Sequence, residues 1–373
     1  MKLTLSALTA AALLAATGVQ AAPSTVSGSY AGLDWTASST IVGVNSTATG
    51  VAGGDPRYLA PRSQYSGVAT LIMDYGAGNQ FICSGTLLGN QKSIVTAGHC
   101  VSDGTSARPL STTVYFYTGT DPENITYNQP SFAYQVTNYA VNSAYTGQVI
   151  DQNDIAVLTL DRLVDWSVKS YDLYGGDDLT GVDFNVAGYG ARSDAGGNVG
   201  DNLGTGRLRQ GDNRYDFRLG DEDFGGLWDD VLGEPAAQIE YTYLSDFDNG
   251  LAANDASCRV AVEGFGLAGT SKYCNTGLGL DEVSIAGGDS GGPGFVGGKL
   301  ASVNSFGLTF GSGFGDLDDD LNVTFGEFNG FVPISIHRDF IQANAVPEPG
   351  TYALAGLGLL AVGWSRRRQR RNA

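Results

Sequence analysis

Gly287-Gly288-Asp289-Ser290-Gly291-Gly292-Pro293 places an aspartate and a serine among four glycines. A serine hydroxyl is a poor nucleophile near neutral pH, so it needs a base within hydrogen-bond reach and donors aimed at the developing oxyanion. Glycine adopts backbone angles that a Cβ would forbid, which lets the N–H groups of Gly288 and Ser290 point at one oxygen. A plain flexible turn is the alternative in a chain with 54 glycines. The clustering favours Ser290 as a nucleophile.

The base can be found by elimination, because the chain has only two histidines. His99 follows the apolar run Ser93–Ala97, which predicts a buried strand ending in a small-residue turn that can hold an imidazole at a cleft wall. His337 lies near the end of the globular part, where a solvated surface histidine is expected. We therefore predict that His99 is the base.

The orienting acid must be chosen from 39 acidic residues. Asp154 opens the β-rich apolar run Asp154–Leu160, so its carboxylate is predicted at the mouth of a buried strand, where it can fix a histidine tautomer. A carboxylate that only caps this strand is the alternative. Asp151 is a weaker candidate because it lies three residues outside the run.

Several segments resemble the trypsin and chymotrypsin-like serine endopeptidases and occur in that family's His, Asp, Ser order. They are Cys83–Leu87, His99, Asp154, Ser290, Val186–Gly190, which resembles the interdomain strand, and Ser305-Phe306-Gly307, which resembles the substrate-pairing edge. The resemblance extends in pieces over residues 41 to 342, with strong motifs separated by weakly matching sequence. It implies hydrolysis of protein or peptide substrates.

The resemblance implies a role for each matching residue. His99 would act as general base and then as general acid, Asp154 would orient it, and Ser290 would be the nucleophile. The backbone N–H groups of Gly288 and Ser290 would form the oxyanion hole. Ser305 would support Asp154.

The floor of the primary specificity pocket in this family lies six residues before the nucleophile, which is Ser284 here. Gly307 and Gly330 would be the open walls, beside Phe306 of the substrate-pairing edge. A neutral floor lacks a carboxylate for Lys or Arg, so we expect a preference for large apolar or aromatic side chains before the scissile bond. A carboxylate of the insertion Asp316–Asp320 would restore a preference for basic residues by folding back, but a solvated loop is the favoured interpretation.

Activation in this family usually requires a freed N-terminus, commonly Ile-Val-Gly-Gly, that pairs with the aspartate before the nucleophile, here Asp289. The chain offers Ile41-Val42-Gly43-Val44 and Val51-Ala52-Gly53-Gly54, and neither follows a basic residue. A trypsin-like activator is therefore not expected, and residues 23–40 are either a propeptide or a plain N-terminal extension. Ala286 stands where many relatives carry a half-cystine that braces the pocket.

Four cysteines allow three pairings from sequence alone. The resemblance implies a disulfide between Cys83 and Cys100 beside the catalytic histidine, and Cys258 with Cys274 would then close a loop ahead of the nucleophile. A metal site is the alternative, but these cysteines have no second histidine nearby and no Cys-x-x-Cys spacing. We expect neither a metal nor a cofactor.

Both ends of the chain carry targeting signals. Residues 1–22 combine Lys2, an apolar Ala/Leu-rich run and a small-residue cleavage site, as in a signal peptide that signal peptidase removes. Residues 343–373 contain Val346-Pro347-Glu348-Pro349-Gly350, an apolar stretch and an arginine cluster, and resemble the bacterial Pro-Glu-Pro (PEP-CTERM) C-terminal sorting signal. The apolar stretch of about thirteen residues is short for a stable span but suits transient membrane insertion.

The sorting signal implies cleavage near Pro347 by an exosortase-type processing enzyme, and a permanent single anchor is the alternative. It implies an exported protein, extracellular or at the surface of a Gram-negative bacterium, often one with an exopolysaccharide matrix. Removing residues 1–22 and 347–373 takes away six basic residues and one acidic residue, which changes the net charge from −18 to −23. Such a surface disfavours nucleic acid as a partner.

The sequence between the signals is rich in Gly, Tyr, Val and Thr, with short alternating runs and frequent turn residues, and predicts an all-β protein. The resemblance implies two antiparallel six-stranded β-barrels, chymotrypsin-like, with the catalytic cleft between them. We assign the N-terminal barrel to residues 41–175 and the C-terminal barrel, with its acidic Gly-rich insertion, to residues 176–342. A short helix is expected within Ile334–Ala343.

The region from Asp194 to Gly250 is dense in Gly and Asp and includes the runs Asp221–Asp223 and Asp246–Gly250. Such runs and residues 316–322 offer oxygen ligands that suit calcium. The twelve-residue loop spacing of an EF-hand is absent, so ordinary acidic surface loops are the favoured interpretation.

Two functions remain, a secreted serine endopeptidase and a surface or matrix-binding pseudopeptidase that keeps the fold. Pseudopeptidases usually lose a member of the triad. His99, Asp154, Ser290 and the oxyanion glycine are all present, which favours the enzyme.

Overall fold

The computed structural model describes residues 25–38, 42–44, 56–120, 130–233, 236–269, 271–285 and 287–345. Its strands are β1 Thr25–Tyr30, β2 Leu33–Ser38, β3 Val42–Val44, β4 Val68–Asp74, β5 Gln80–Leu87, β6 Ser93–Thr96, β7 Ser111–Tyr117, β8 Ser131–Val141, β9 Ala156–Leu160, β10 Asp183–Gly188, β11 Ala191–Arg192, β12 Arg209–Arg214, β13 Phe217–Arg218, β14 Tyr243–Asp246, β15 Pro293–Val296, β16 Lys299–Thr309 and β17 Phe328–Pro333. Its helices are α1 Arg62–Tyr65, α2 Leu227–Leu232, α3 Ala256–Arg259 and α4 Arg338–Asn344.

Several sequence predictions concern residues outside this part of the chain. The signal peptide, the Pro-Glu-Pro region from residue 346 onward, the candidate N-terminus at residues 51–54 and Ala286 all lie outside the described residues. Within the described residues, every helix is too short or too polar to cross a membrane.

The first unit is a closed barrel of six antiparallel strands in the order β4-β5-β6-β9-β8-β7. Its core contains the fully buried side chains of Leu71, Ile94, Val114 and Leu158. β6 and β9 run antiparallel with Thr96 opposite Ala156. The residues that follow β6 therefore lie beside the residues that precede β9.

The second unit is a nine-stranded sheet whose main path is β12-β10-β15-β16-β17-β14-β13. It curves as a half-barrel, whereas the first unit is closed. Its core is aromatic, and the fully buried rings include Phe217, Trp228, Tyr273, Phe306 and Phe328. The predicted all-β architecture is confirmed, with the first unit a six-stranded barrel as expected and the second an open sheet of nine strands where a six-stranded barrel was expected. The helix α4 begins just after the last strand, inside the segment where a helix was expected.

The N-terminal extension forms a hairpin of β1 and β2 that belongs to the second unit. Its turn at Ala31 and Gly32 has positive φ values of 52° and 90°, the backbone that a tight two-residue hairpin requires. Trp35 and Ala37 of β2 are buried in the aromatic core. β2 continues the sheet by pairing antiparallel with β16, with Ser38 opposite Gly307.

The predicted disulfide pairs are both present. Cys83 of β5 is bonded to Cys100, just after β6, and Cys258 of α3 is bonded to Cys274. The first bond fixes the segment that carries His99 against the barrel wall. The described part of the chain contains no free cysteine.

Candidate active site

His99 and Asp154 meet at the rim of the first barrel, because one follows β6 and the other precedes β9. His99 Nδ1 lies 2.7 Å from Asp154 Oδ2, and the backbone N–H of His99 donates to Asp154 Oδ1 at 2.7 Å. Ser305 Oγ of β16 also donates to Asp154 Oδ2, at 2.6 Å. Asp154 is buried, and both of its oxygens accept hydrogen bonds. This arrangement places the imidazole proton on Nδ1 and leaves the lone pair on Nε2.

The imidazole of His99 is held so that its second nitrogen is available. Its side chain is only 10% exposed, and Nε2 has no hydrogen-bond partner among the described residues. A neutral imidazole fixed in this tautomer can accept a proton at Nε2. Cys100, the next residue, has its Sγ 3.6 Å from the carbonyl oxygen of Ser290, so the histidine segment and the serine segment are in contact.

Asp151, the rival acid, is buried but does not contact His99. Its carboxylate accepts hydrogen bonds from Thr146 and from the backbone of Asn153. Burial raises the pKa of this carboxyl. It organises the turn that precedes Asp154.

The expectation that His337 is a solvated surface residue is wrong. Its side chain is buried, because α4 packs through Ile341 against the core of the first barrel. Its Nε2 lies 2.7 Å from the carbonyl oxygen of Gln152, and Nδ1 lies 3.1 Å from Asn142 Nδ2. Burial lowers its pKa, so His337 is a neutral structural histidine.

The segment around Ser290 is clamped between the two units. The carbonyl oxygen of Ser290 accepts a bond from Ser84 N of β5 at 2.8 Å, and Gly291 N donates to Asn304 O of β16 at 2.9 Å. Gly291 has a φ of 80°, and a Cβ there would overlap Thr96 Oγ1 and lie 2.6 Å from Ser84 O. Only glycine fits this position.

The turn before Ser290 is held by hydrogen bonds on both sides of Gly288. Gly288 has a φ of 105°. The carbonyl of Gly287 accepts from Ala191 N at 2.9 Å, and the N–H of Gly288 points the opposite way because a trans peptide sets its C=O and N–H antiparallel. Asp289 Oδ1 accepts from Gly190 N at 2.7 Å, and Ser84 Oγ donates to Gly288 O at 2.8 Å. These bonds fix the peptide planes on both sides of Gly288.

Ser284 lies buried beside Asn329 of β17. Its Oγ donates to Asn329 Oδ1 at 2.7 Å, and Ile285 N donates to the same oxygen at 3.2 Å. Asn329 Nδ2 is buried without a partner among the described residues. Gly330 lies under the ring of Phe306, where a Cβ would overlap the ring. The polar neighbour of Ser284 is therefore Asn329, and Gly330 makes room for Phe306.

Sequence reasoning missed Asn329, although strand alternation could have found it. Successive side chains of a strand point to opposite faces, so a Gly330 that faces Phe306 puts Asn329 on the other face. The surroundings of Gly307 also differ from those of the open pocket wall that the resemblance implied. It lies opposite Ser38 of β2 on one side and opposite Asn329 on the other.

The acidic insertion does not reach Ser284 through any hydrogen bond of the described residues. Asp316 is buried and accepts from Thr309 Oγ1 at 2.5 Å and from Thr324 Oγ1 at 2.8 Å, while Asp318–Asp320 are exposed.

Comparisons with known proteins agree with this architecture. Residues 37–217 match the Trypsin family model, a span that contains His99 and Asp154 and ends before Ser290. Residues 345–368 match the model of the PEP-CTERM protein-sorting motif. The solved structure of HL collagenase is similar with a TM-score of 0.50 and 18% identity, over 78% of this chain and 97% of that chain. No curated protein matches the chain by sequence.

Proposed function

We propose that this chain, which carries a trypsin-family domain and a PEP-CTERM sorting motif, is a secreted serine endopeptidase. The observation that carries the proposal is the buried Asp154, which accepts from His99 Nδ1 while His99 Nε2 has no partner among the described residues. A histidine held in this way can act as a general base. The glycine-framed Ser290 segment, which touches the residue beside His99, supplies the nucleophile.

The reaction would proceed through an acyl-enzyme. Ser290 Oγ attacks the scissile carbonyl carbon while His99 Nε2 takes its proton, and the N–H groups of Gly288 and Ser290 donate to the resulting oxyanion. Collapse breaks the C–N bond, and the imidazolium gives its proton to the leaving amine. Water then attacks the ester with His99 again as base. Asp154 keeps the imidazole oriented and stabilises its positive charge throughout.

The pocket chemistry supports a preference for large apolar or aromatic residues before the scissile bond. Ser284 and Asn329 are both neutral, so the floor offers no charge partner for Lys or Arg. The substrate backbone would pair with the edge of β16 at Ser305 and Phe306. The 18% identity to HL collagenase concerns the fold alone, so the substrate class rests on these residues.

The sorting motif makes this a secreted protein targeted to the bacterial cell surface. Processing by an exosortase-type enzyme near Pro347 and retention in an exopolysaccharide matrix of a Gram-negative cell are parts of the proposal. The strongly negative mature chain suits an aqueous exterior.

A peptide-mixture digest tests this function. We expect the processed protein to cleave a defined mixture of peptides mainly after Phe, Tyr and Leu, with cleavage sites identified by mass spectrometry. Cleavage mainly after Lys or Arg would contradict the neutral pocket. A folded, processed chain that cleaves none of the peptides would favour a pseudopeptidase.

A further inference from the structure

A cluster of buried carboxylates lies in the second unit, away from His99. Its members are at most 4% exposed: Asp216, Asp246, Asp248, Asp255 and Glu282. One oxygen from each of Asp246, Asp248 and Glu282 lies within 4.8 Å of the other two. The expectation of a surface loop is wrong for Asp246–Asp248, which are buried, because Phe247 packs into the interior against Phe325.

In the described part of the chain, the hydrogen bonds to the three converging carboxylates come from neutral backbone N–H groups. Asp246 Oδ2 accepts from Ser257 N at 2.9 Å, Asp248 Oδ1 from Gly250 N at 2.6 Å, and Glu282 Oε2 from Asp248 N at 2.9 Å. None of the ion pairs in the described part of the chain includes any of the three.

Asp248 supplies a second and separate observation. Its side chain is completely buried, yet its Oδ2 has no hydrogen-bond partner among the described residues. A buried carboxylate oxygen without a donor is costly. Burial raises the pKa of Asp248 to about 6, and burial with repulsion between neighbours raises the pKa of Asp246 and Glu282. Arg214 interacts electrostatically with Glu282, but Asp248 Oδ2 still lacks a donor among the described residues.

We propose that Asp246, Asp248 and Glu282 bind a calcium ion. The donors are all hard oxygens, and no nitrogen or sulfur atom belongs to the group, which disfavours zinc and copper. Calcium binds oxygen at about 2.3–2.6 Å, so two of its ligands are at most about 5 Å apart, which agrees with the observed spread. The irregular segment after β14 also suits the flexible geometry of calcium sites.

The ion would join two segments that lead toward the candidate active site. Asp246 ends β14 and Asp248 follows it, whereas Glu282 lies two residues before Ser284 and eight before Ser290. Glu282 Oε1 also holds Leu278 N at 2.8 Å. Calcium would therefore order the segment that forms the pocket floor.

Thermal unfolding of the full processed chain tests the calcium site, in a Ser290→Ala background that excludes self-digestion. After EDTA treatment, we expect saturating Ca²⁺ to raise Tm by about 5 °C. Asp248→Asn and Glu282→Gln should lose this rise, while the exposed control Asp320→Asn should keep it. Without calcium, Asp248→Asn should melt no lower than its parent, because one repelling charge is gone.

Three outcomes would overturn the assignment. They are a parent protein whose Tm is unmoved by Ca²⁺, an Asp248→Asn or Glu282→Gln variant that keeps the full rise, and an equal rise with Mg²⁺. None of these readouts depends on hydrolysis, so they stand apart from the proposed function.

A second inference comes from the register of β2. One edge of β16 pairs with β17 from Ser302 to Leu308. The other edge pairs with β15 as far as Val303, then bonds to Gly291 and Gly292 beside Ser290, and finally pairs with β2 from Gly307 to Thr309. β2 thus lies on the edge that faces the nucleophile segment.

We infer that β2 occupies the place of a substrate's third to fifth residues before the scissile bond. This inference rests on the proposed function, in which an extended substrate pairs antiparallel with β16 from Ser305 onward. A substrate strand that pairs its first residue with Ser305 brings its third residue opposite Gly307, where Ser38 already lies. The buried Trp35 and Ala37 hold β2 in place.

A peptide length series tests this inference. We expect kcat/KM to rise when a second residue is added before the scissile bond. Adding a third and a fourth should change kcat/KM by less than about threefold, because β2 prevents these residues from pairing with the edge of β16. A more than tenfold gain from the third and fourth residues would overturn it. Fluorophosphonate labelling of Ser290 needs no extended pairing, so absence of labelling would instead identify failure of the proposed function.

Discussion

Replacing Ser290 by alanine is expected to lower kcat/KM for peptide hydrolysis by about a millionfold, the scale of losing a catalytic serine. The change removes only Oγ, so no bond can form to the scissile carbon. The Gly288 turn and the Asp154–His99 pair remain, because they are held by the bonds from Gly190 N to Asp289 Oδ1 and between His99 Nδ1 and Asp154 Oδ2. Steady-state kinetics on a peptide cleaved after Phe would measure the loss.

Covalent labelling gives the control for this variant. A fluorophosphonate should attach to one serine of the parent protein, identified as Ser290 by mass spectrometry, and should leave the Ser290→Ala protein unlabelled. Equal melting temperatures for the two proteins would show that the variant is folded. Undiminished hydrolysis by the variant would refute Ser290 as nucleophile.

Changing Asp154 to asparagine should lower kcat by about ten-thousandfold at neutral pH. Both carboxylate oxygens accept hydrogen bonds, one from the backbone N–H of His99 and the other from His99 Nδ1 and Ser305. An amide NH₂ in either orientation therefore faces a donor. The lowest-energy response is for the imidazole to move its proton to Nε2, which removes the base.

Asp151→Asn is the matched control, because it neutralises a buried carboxylate three residues away that does not touch His99. Its kcat should stay within about threefold of the parent value, the range of changes outside a coupled catalytic group. If the two variants lost activity equally, the loss would reflect the local fold and Asp154 would have no special role.

The sequence predicted the features that depend on short segments. The all-β architecture follows from strand-length runs and turns, and the pairing of Cys83 with Cys100 follows from the family resemblance. His99 and Asp154, although 55 residues apart, could be matched because each adjoins a buried strand.

Features that depend on how distant segments pack could not be predicted in this way. The side chain of Asn329 is directed at Ser284 only because Phe306 covers Gly330 on the opposite face. The burial of His337 depends on where α4 docks, and that of Asp248 depends on the neighbouring Phe247. A short segment of sequence shows that these residues are polar, but it does not show which residues pack against them.

The missing side chain of Gly291 has a consequence for the order in which the protein becomes complete. The Ser290 segment settles only into a space bounded by Thr96 and Ser84 of the first barrel, and it follows His99 and Asp154 along the chain. When a polypeptide is made and exported from its N-terminus, its N-terminal half is present for a time without the C-terminal half. During that interval His99 and Asp154 have no nucleophile beside them, so the proposed peptidase would become active only after most of its chain has left the cytoplasm.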